Sequence, residues 1–187
     1  HLDWHGTMDH YRRSKEVVHR FQRAADGDVL LRGEDVPPLP PDAPLALPGP
    51  HNRRNAALAV AIAAAVTGEP PAALVPRLAG AAALPDRLQV VRRIERRGGG
   101  AILFVNDSKC TTPEGVELAV ASLEAEAGGR EHVHLIAGGY DKGTPLDAIA
   151  ALAPGLGGLH AIGAVGPRLA AAARDAGAAA DRVVEAG

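Results

Sequence analysis

The second half of the chain alternates short apolar runs with alanine-rich stretches, a pattern typical of strands followed by helices. Three apolar runs have the length of buried strands: 101–105, 132–137 and 159–164. Helices are predicted after them, over 112–127, 145–153 and 167–176, and a last strand is predicted to begin at Arg182. The sequence Thr111–Thr112–Pro113–Glu114 supplies a capping box for the first of these helices. Strands joined by helices through right-handed crossovers predict an α/β fold with a Rossmann-like, doubly wound parallel sheet.

The first part of the chain has a different pattern. It begins with a polar, histidine-rich helix and continues through the proline-rich stretch Val36–Pro41, which we interpret as a linker or surface loop. The apolar run Ala56–Val66 follows and is predicted to be a core helix. We therefore predict two units, with residues 1–66 in the first and residues 67–187 in the second.

Composition narrows the possible functions. The 187 residues carry a formal net charge of −2, so there is no basic excess for binding nucleic acid. The single cysteine, Cys110, excludes an internal disulfide and a cysteine-cluster metal site. No apolar run approaches the roughly 20 residues that span a bilayer. We expect no membrane partner and a cytoplasmic location.

Candidate chemistry lies in the three loops that follow predicted strands. These are Asn106–Lys109, Gly138–Gly143 and Gly163–Gly166. Glycines let the backbone approach an anion, lysines supply positive charge, and ligands of parallel sheets bind beyond the carboxyl ends of the strands. Any one loop alone is explained by ordinary turn chemistry, but two lysine-bearing loops on one edge favour an anion site. The third loop lacks a full G-x-G-x-x-G pattern, so a dinucleotide site is only weakly indicated.

Two polar groups in the first unit leave alternatives open. His1 and Asp3 are close enough in sequence to ligate a metal, although such pairs more often lie solvated on a surface. Asn52 and Asn55 are three residues apart and share one helical face. Their amides suit the recognition of a base edge, but asparagine at a helix start is more often a cap.

Five segments, taken in order, carry a resemblance to a known family. They are His1–Met8 with Tyr11 and Lys15, Leu47–Asn55, Leu84–Leu88, Asn106–Thr111 and Gly138–Gly143. In these segments the chain resembles the Mur ligases of peptidoglycan synthesis, most closely the members that add D-glutamate. The resemblance implies a Rossmann-like C-terminal domain preceded by part of the central ATPase domain of these enzymes.

The resemblance also implies an activity and its participants. Mur ligases form an amide bond with ATP and Mg²⁺ through an acyl phosphate, and the expected substrates are UDP-N-acetylmuramoyl-L-alanine and D-glutamate. The expected protein is a monomer. The implied metal ligands are His1 and a carbamylated Lys15, and the implied catalytic lysines are Lys15, Lys109 and Lys142. The implied nucleotide contacts are Asn52, Asn55, Arg87 and Asp107, and the implied D-glutamate contacts are Thr111 and Lys142.

Some positions depart from the family pattern. Asp86 stands where a histidine is usual, Gln89 where a glutamate is usual, and Cys110 where a small residue is usual. The chain begins at His1 rather than methionine and contains no G-x-x-G-K-[ST] phosphate loop. We therefore expect a fragment of a ligase that is inactive by itself.

Two other interpretations remain at this stage. The first is a sibling amide ligase, either another Mur enzyme or a protein similar to folylpolyglutamate synthase. The second is a non-catalytic Rossmann-like module that binds a nucleotide or a partner protein. The missing phosphate loop favours the module, and the two lysine-bearing loops favour a ligase.

Overall fold

The structure is a computed structural model that describes residues 2–23, 31–47, 49–141, 143 and 145–186. The helices are α1 (Leu2–His5), α2 (Met8–Arg20), α3 (Pro50–Thr67), α4 (Pro71–Leu74), α5 (Pro113–Ala127), α6 (Asp147–Ala150) and α7 (Gly166–Asp175). The strands are β1 (Gln89–Glu95), β2 (Ala101–Asn106), β3 (His134–Gly138), β4 (Gly158–Ile162) and β5 (Val183–Ala186). Short 3-10 helices cover Val75–Gly80, Arg130–His132, Ala153–Gly155 and Ala180–Arg182.

The last three strands form a parallel sheet in the order β3-β4-β5. His134 lies alongside Gly158, and Leu159 lies alongside Val183. This confirms the α/β class, the parallel sheet and the strands predicted near 132–137, 159–164 and 182. The first of these strands begins two residues later than predicted because Arg130–His132 closes a 3-10 turn after α5.

The expectation that 101–105 is a buried strand of the parallel sheet is wrong. In the described part of the chain, β2 pairs antiparallel with β1, a strand that the sequence pattern did not predict. The tight turn between the two strands is closed by a hydrogen bond from Arg96 N–H to the Gly100 carbonyl at 3.0 Å. Pairing across so short a loop costs little conformational entropy. Ile102 and Phe104 remain 48% and 46% exposed on the hairpin.

The main core lies between the parallel sheet and α7. Leu159 on β4 and Leu169 on α7 are fully buried there. Most other members of the core are alanines, which have little side-chain entropy to lose and let a helix approach a sheet closely. Both predicted helices in this region exist, but the one predicted over 145–153 is a single turn, α6, followed by a 3-10 turn.

The described part of residues 2–67 contains the predicted helices but less core than expected. Helix α3 covers the run Ala56–Val66, yet its buried residues are only Ala56, Ala57 and Val60. Val66 is 80% exposed, so the helix that was predicted to lie in the core is buried along only one side. The proline-rich stretch forms neither helix nor strand and is joined to α3 by a hydrogen bond from Arg53 to the Pro40 carbonyl at 2.7 Å.

Among the described residues, no single helix is both long and apolar enough to cross a bilayer; α3 and the helical segment up to Gly80 reach that composition only together, across a 115° bend.

Candidate functional site

Two loops that are distant in sequence are hydrogen-bonded to each other. The Asp107 carboxylate accepts the backbone N–H of Leu88 at 3.0 Å. The Asp86 carboxylate accepts the Asn106 amide at 2.9 Å, and Lys109 N–H donates to the Asp86 carbonyl at 3.2 Å. These bonds hold the loop that carries Arg87 against the loop that carries Lys109.

The backbone around Arg87 adopts an uncommon conformation. Asp86 and Leu88, on either side of it, have φ angles of 62° and 44°, in the left-handed region that most side chains avoid. The buried side chain of Leu88 and a hydrogen bond from Asp86 N–H to the Gln89 side chain at 3.2 Å stabilise this conformation. Arg87 is exposed at the apex of the turn. Asp86 and Gln89, two of the three residues that depart from the family pattern, therefore both help to shape this loop.

Lys109 lies at the edge of the same site. Its ammonium nitrogen is 3.9 Å from the Asp86 carboxylate, and the two side chains are 57% and 38% exposed. An ion pair this long and this exposed contributes little to stability. Lys109 is therefore a cation that an incoming anion can attract away from Asp86 at small cost. Arg87 and Lys109 bring two cations to this end of the two loops, beside the carboxylates of Asp86 and Asp107.

The next residues connect the site to helix α5. The hydroxyl that caps α5 belongs to Thr112, which accepts the Gly115 N–H at 3.2 Å. The predicted capping box is therefore wrong, because the cap is Thr112 rather than Thr111 and Glu114 lies one position too early to complete a box with it. The proline in the first turn is confirmed. Thr111 is exposed beside the cap. Burial raises the pKa of the Cys110 thiol, with the nearby Asp107 carboxylate adding to the effect.

The glycine-rich loop after β3 packs tightly against the loop after β4. A Cβ at Gly138 would lie 2.0 Å from the Ile162 carbonyl oxygen, so only glycine fits this position. Beyond it, Asp141 accepts the Gly143 N–H at 2.8 Å and the Arg168 guanidinium. These two donors hold the pKa of the Asp141 carboxyl below its ordinary value. Lys142, predicted to be catalytic, lies outside the described residues.

Asn52 and Asn55 line a cavity of about 240 Å³ at the first turns of α3. The rest of its lining is entirely aliphatic: Leu45, Leu47, Ala56, Ala59, Leu78 and Ala81. An apolar slot with a pair of amides at one side suits a flat heterocycle that has polar edges. Asn52 and Asn55 thus line the same cavity, and their contact with a base stays a prediction.

The proposed metal-binding segment is only partly described. Lys15 lies on α2 with its ammonium nitrogen 5.5 Å from the centre of the Tyr11 ring. The rings of His5 and Tyr11 are in edge-to-face contact, 5.1 Å apart. His1 lies outside the described residues. Within the described ranges, no three His, Cys, Asp or Glu side chains are grouped closely enough to hold a metal ion.

The structure thus brings three of the predicted residues, Arg87, Asp107 and Lys109, into one pair of loops. Asn52 and Asn55 line a separate cavity, and Lys15 lies on α2. Asp86 and Asn106, the pair that joins the two loops, were not predicted from the sequence to pair. His51, which contacts Ser122 on α5, was not among the predicted site residues either. Neither pair has a signal in the sequence, because their members are 20 and 71 residues apart.

Comparison with known proteins finds relatives along most of the chain. This chain is 34% identical to the UDP-N-acetylmuramoylalanine--D-glutamate ligase of Rubrobacter xylanophilus, and the alignment covers 90% of this chain and 43% of that protein. It is 31% identical to the ligase of the same name from Zymomonas mobilis, over all of this chain and 43% of that protein. It is 33% identical to the UDP-N-acetylmuramoyl-L-alanine--L-glutamate ligase of Xanthomonas euvesicatoria, over 76% of this chain and 35% of that protein.

No family model matches the chain. The chain spans less than half the length of each of these curated relatives. The alignments nevertheless cover both the α3 region and the parallel sheet, since the longest extends over the whole chain. The identities of 31–34% and the five motif segments agree on one family. The chain belongs to the Mur ligase family.

Proposed function

We propose that the protein containing this chain is an ATP-dependent ligase that joins D-glutamate to UDP-N-acetylmuramoyl-L-alanine. The observation that carries the proposal is the alignment of nearly the whole chain with proteins named as glutamate ligases. In this proposal residues 1–66 belong to the central ATP-binding domain and residues 67–187 to the C-terminal domain. The protein is proposed to act as a cytoplasmic monomer.

The cavity at α3 is the proposed site of the ATP base. Adenine has two apolar faces and an edge of hydrogen-bond donors and acceptors. The aliphatic lining of the cavity fits the faces. Asn52 and Asn55, whose side chains carry both donors and an acceptor, are proposed to contact the edge. The residues present therefore fit an adenine nucleotide. Arg87 and Asp107 are proposed to contact the rest of the nucleotide from the two interlocked loops.

The proposed reaction has two steps that these loops serve electrostatically. An oxygen of the substrate carboxylate attacks the terminal phosphorus of ATP, and ADP leaves. The amine of glutamate then attacks the acyl carbon, loses a proton, and displaces phosphate as the amide forms. Negative charge builds up on phosphoryl and acyl oxygens in both steps, and fixed cations stabilise it. Lys109 is proposed to supply that charge together with Lys142.

The proposed ligands of Mg²⁺ are His1 and a carbamylated Lys15. The Lys15 ammonium lies over the Tyr11 ring, whereas Mg²⁺ prefers carboxylate, carbonyl and water oxygens. A carbamate on Lys15 would supply one such oxygen. Bound Mg²⁺ would neutralise phosphate charge. We derive no step through the ion, because the described residues alone do not provide its ligands.

The incoming amino acid is proposed to be held by its two carboxylates. Thr111 and Lys142 are proposed to bind the carboxylates of D-glutamate, since a hydroxyl and a fixed cation are suitable partners for them. The Xanthomonas relative is named as an L-glutamate ligase, so L-glutamate is the second candidate. Both enantiomers carry the same two carboxylates, and the shape of the site decides between them.

A substrate panel tests the proposal. The complete protein that contains this chain is incubated with ATP, Mg²⁺ and UDP-N-acetylmuramoyl-L-alanine. D-glutamate, L-glutamate, L-alanine or diaminopimelate is then added, and the product is identified by mass spectrometry. We expect product with D-glutamate, and its loss in a folded Lys142→Ala variant. Product with L-alanine or diaminopimelate alone would identify a sibling ligase. ADP binding without any product would favour the non-catalytic module.

A further inference from the structure

A polar contact joins helix α3 to helix α5. Ser122 on α5 is only 3% exposed and is the one polar residue that is buried among the described residues. Its hydroxyl oxygen lies 3.3 Å from Nδ1 of His51, which is in the first turn of α3. A polar group is rarely buried at a helix contact without a partner that satisfies it. Ser122 has two such partners, the Leu118 carbonyl on its own helix and His51 on α3.

The hydrogen-bonding capacity of Ser122 determines which group donates. Its single hydroxyl proton goes to the Leu118 carbonyl, 2.6 Å away. The hydroxyl oxygen then acts only as an acceptor toward His51, so Nδ1 of His51 carries the proton. This assigns the Nδ1–H tautomer to the neutral ring. A residue that replaces His51 must keep a donor at this place to preserve the contact.

Gly49 allows the two helices to come this close. Its φ of +90° is in the left-handed region, and a Cβ at this position would lie 2.2 Å from the Ser122 oxygen and 2.8 Å from the Ser122 Cβ. No side chain fits there without moving α5. The residues immediately before and within the first turn of α3 therefore rest directly on α5, by backbone packing at Gly49 and by a hydrogen bond at His51.

The contact lies between two parts of the proposed active site. Asn52, which lines the proposed adenine cavity, is the next residue after His51. At the other end of the contact, Ser122 lies ten residues after the Thr112 cap, about 15 Å along α5 at the usual helical rise. Leu45 and Leu47 line both the adenine cavity and a groove of about 370 Å³ that is bordered by Ser122. The proposed adenine cavity and the groove next to Ser122 thus adjoin each other at these two leucines.

We propose that His51 is a positioning residue: through its hydrogen bond to Ser122 it fixes the adenine-binding turn of α3 against α5 and so couples nucleotide binding to the glutamate-binding end of α5. This inference rests on the proposed function. It requires that a substitution on α5, outside the adenine cavity, weakens nucleotide binding. Ser122 does not line that cavity.

The test measures ADP binding to the complete protein by titration calorimetry. We expect Ser122→Ala and His51→Ala each to weaken ADP binding about fivefold, the equilibrium factor that corresponds to one hydrogen bond of typical strength. The double variant should be no weaker than either single variant, because both remove the same bond. His51→Gln, which keeps an N–H donor, should recover most of the affinity. His132→Ala is the matched control, since His132 is an exposed histidine outside the site.

Unfolding and kinetic measurements separate coupling from a general structural role. With saturating ATP, the KM for glutamate should rise about fivefold in His51→Ala while kcat changes less than twofold. Wild-type ADP affinity in both single variants, or additive losses in the double variant, would overturn the inference. It would also be overturned if affinity fell only in proportion to the folded fraction measured by chemical denaturation. A wild-type protein that binds no ADP would instead refute the proposed function, and the coupling with it.

Discussion

Asp107 accepts the backbone N–H of Leu88, a residue 19 positions earlier in the chain, at 3.0 Å. Because Leu88 follows Arg87, this bond fixes the turn on which Arg87 is displayed. The family resemblance implies that Asp107 contacts the nucleotide. The hydrogen bond to Leu88 also gives Asp107 a structural role. The two tasks respond differently to substitution.

Two substitutions of Asp107 distinguish the contribution of its hydrogen bond to stability from the contribution of its charge to nucleotide binding. Asp107→Ala removes the acceptor of the Leu88 N–H and should lower the free energy of unfolding by about 1–2 kcal/mol. Asp107→Asn keeps a carbonyl acceptor and should cost under about 1 kcal/mol. Urea denaturation measures both. If Asp107→Ala is as stable as the wild type, the bond does not hold the loop. A loss of ADP affinity in a fully folded Asp107→Asn variant would support a direct contact with nucleotide.

The effect of a substitution at Asp86 on stability should depend more on the backbone conformation that the new residue favours than on its charge. Its φ of 62° is tolerated by Asp and Asn but strongly disfavours a β-branched residue. Asp86→Asn retains an acceptor for Asn106 and loses only the exposed ion pair with Lys109, so we expect a cost below about 1 kcal/mol. Asp86→Val should cost about 2–4 kcal/mol in the same denaturation experiment. Equal stability of the two variants would contradict the strained turn.

The proposal that adenine binds in the cavity at α3 predicts a loss of base selectivity when the amides of that cavity are removed. Asn55→Ala should weaken ADP binding by about 5–30-fold, which corresponds to one or two lost hydrogen bonds, and should narrow the preference for ADP over GDP. Arg54→Ala is the matched control, because Arg54 is exposed on the same helix and does not line the cavity. If Asn55→Ala keeps both the affinity and the preference, the base binds elsewhere.

Cys110 should react slowly with alkylating reagents near neutral pH. Burial raises the pKa of its thiol above the ordinary value of 9.0, so the neutral form prevails there. Since the folded pKa is raised, the contribution of this group to stability is present below pH 9 and is lost as pH rises through the folded pKa. The pH profile of iodoacetamide labelling measures the pKa. Asp107→Asn should shift the profile to lower pH, and rapid labelling of the folded wild type at pH 8 would contradict the assignment.

Asp141 should titrate below its ordinary value of 3.8, first because of the Gly143 N–H and second because of Arg168. The folded state favours the carboxylate, so its contribution to stability is present above pH 3.8 and is lost as pH falls through the lower folded pKa. Arg168→Gln should raise the pKa only partway, because the Gly143 N–H remains. Carboxyl carbon chemical shifts in an NMR titration measure this pKa. A pKa unchanged by Arg168→Gln would show that the ion pair does not form in solution.

Much of the parallel sheet could be predicted because its signals are local. The apolar runs near Leu135 and Leu159 and the helix over 167–176 have clear periodicity and boundaries. Strand β1 has no such signal, because it contains Arg92, Arg93 and Glu95 and leaves most of its side chains exposed. The glycine run 98–100, which separates it from β2, is a turn signal, but no hairpin was predicted from it.

The candidate site could be predicted in outline but not in its connections. The loops at strand ends and the pair Asn52 and Asn55 follow from motif and spacing. The bonds that organise them, Asp86 with Asn106 and His51 with Ser122, join residues that tertiary folding brings together. Asp86 is the clearest example of a residue whose contacts could not be predicted from the sequence. Sequence comparison marks it only as a departure from the family pattern, whereas the structure gives it two partners and an uncommon backbone conformation.

An isotope experiment tests whether the amide forms through an acyl phosphate. The complete protein is supplied with ATP, D-glutamate, and UDP-N-acetylmuramoyl-L-alanine whose alanyl carboxylate carries oxygen-18. Attack of that carboxylate on ATP, followed by displacement by the glutamate amine, transfers one labelled oxygen to the released phosphate. The account predicts labelled phosphate in equal amount to the amide product, measured by mass spectrometry. Unlabelled phosphate, or phosphate release without amide formation, would contradict it.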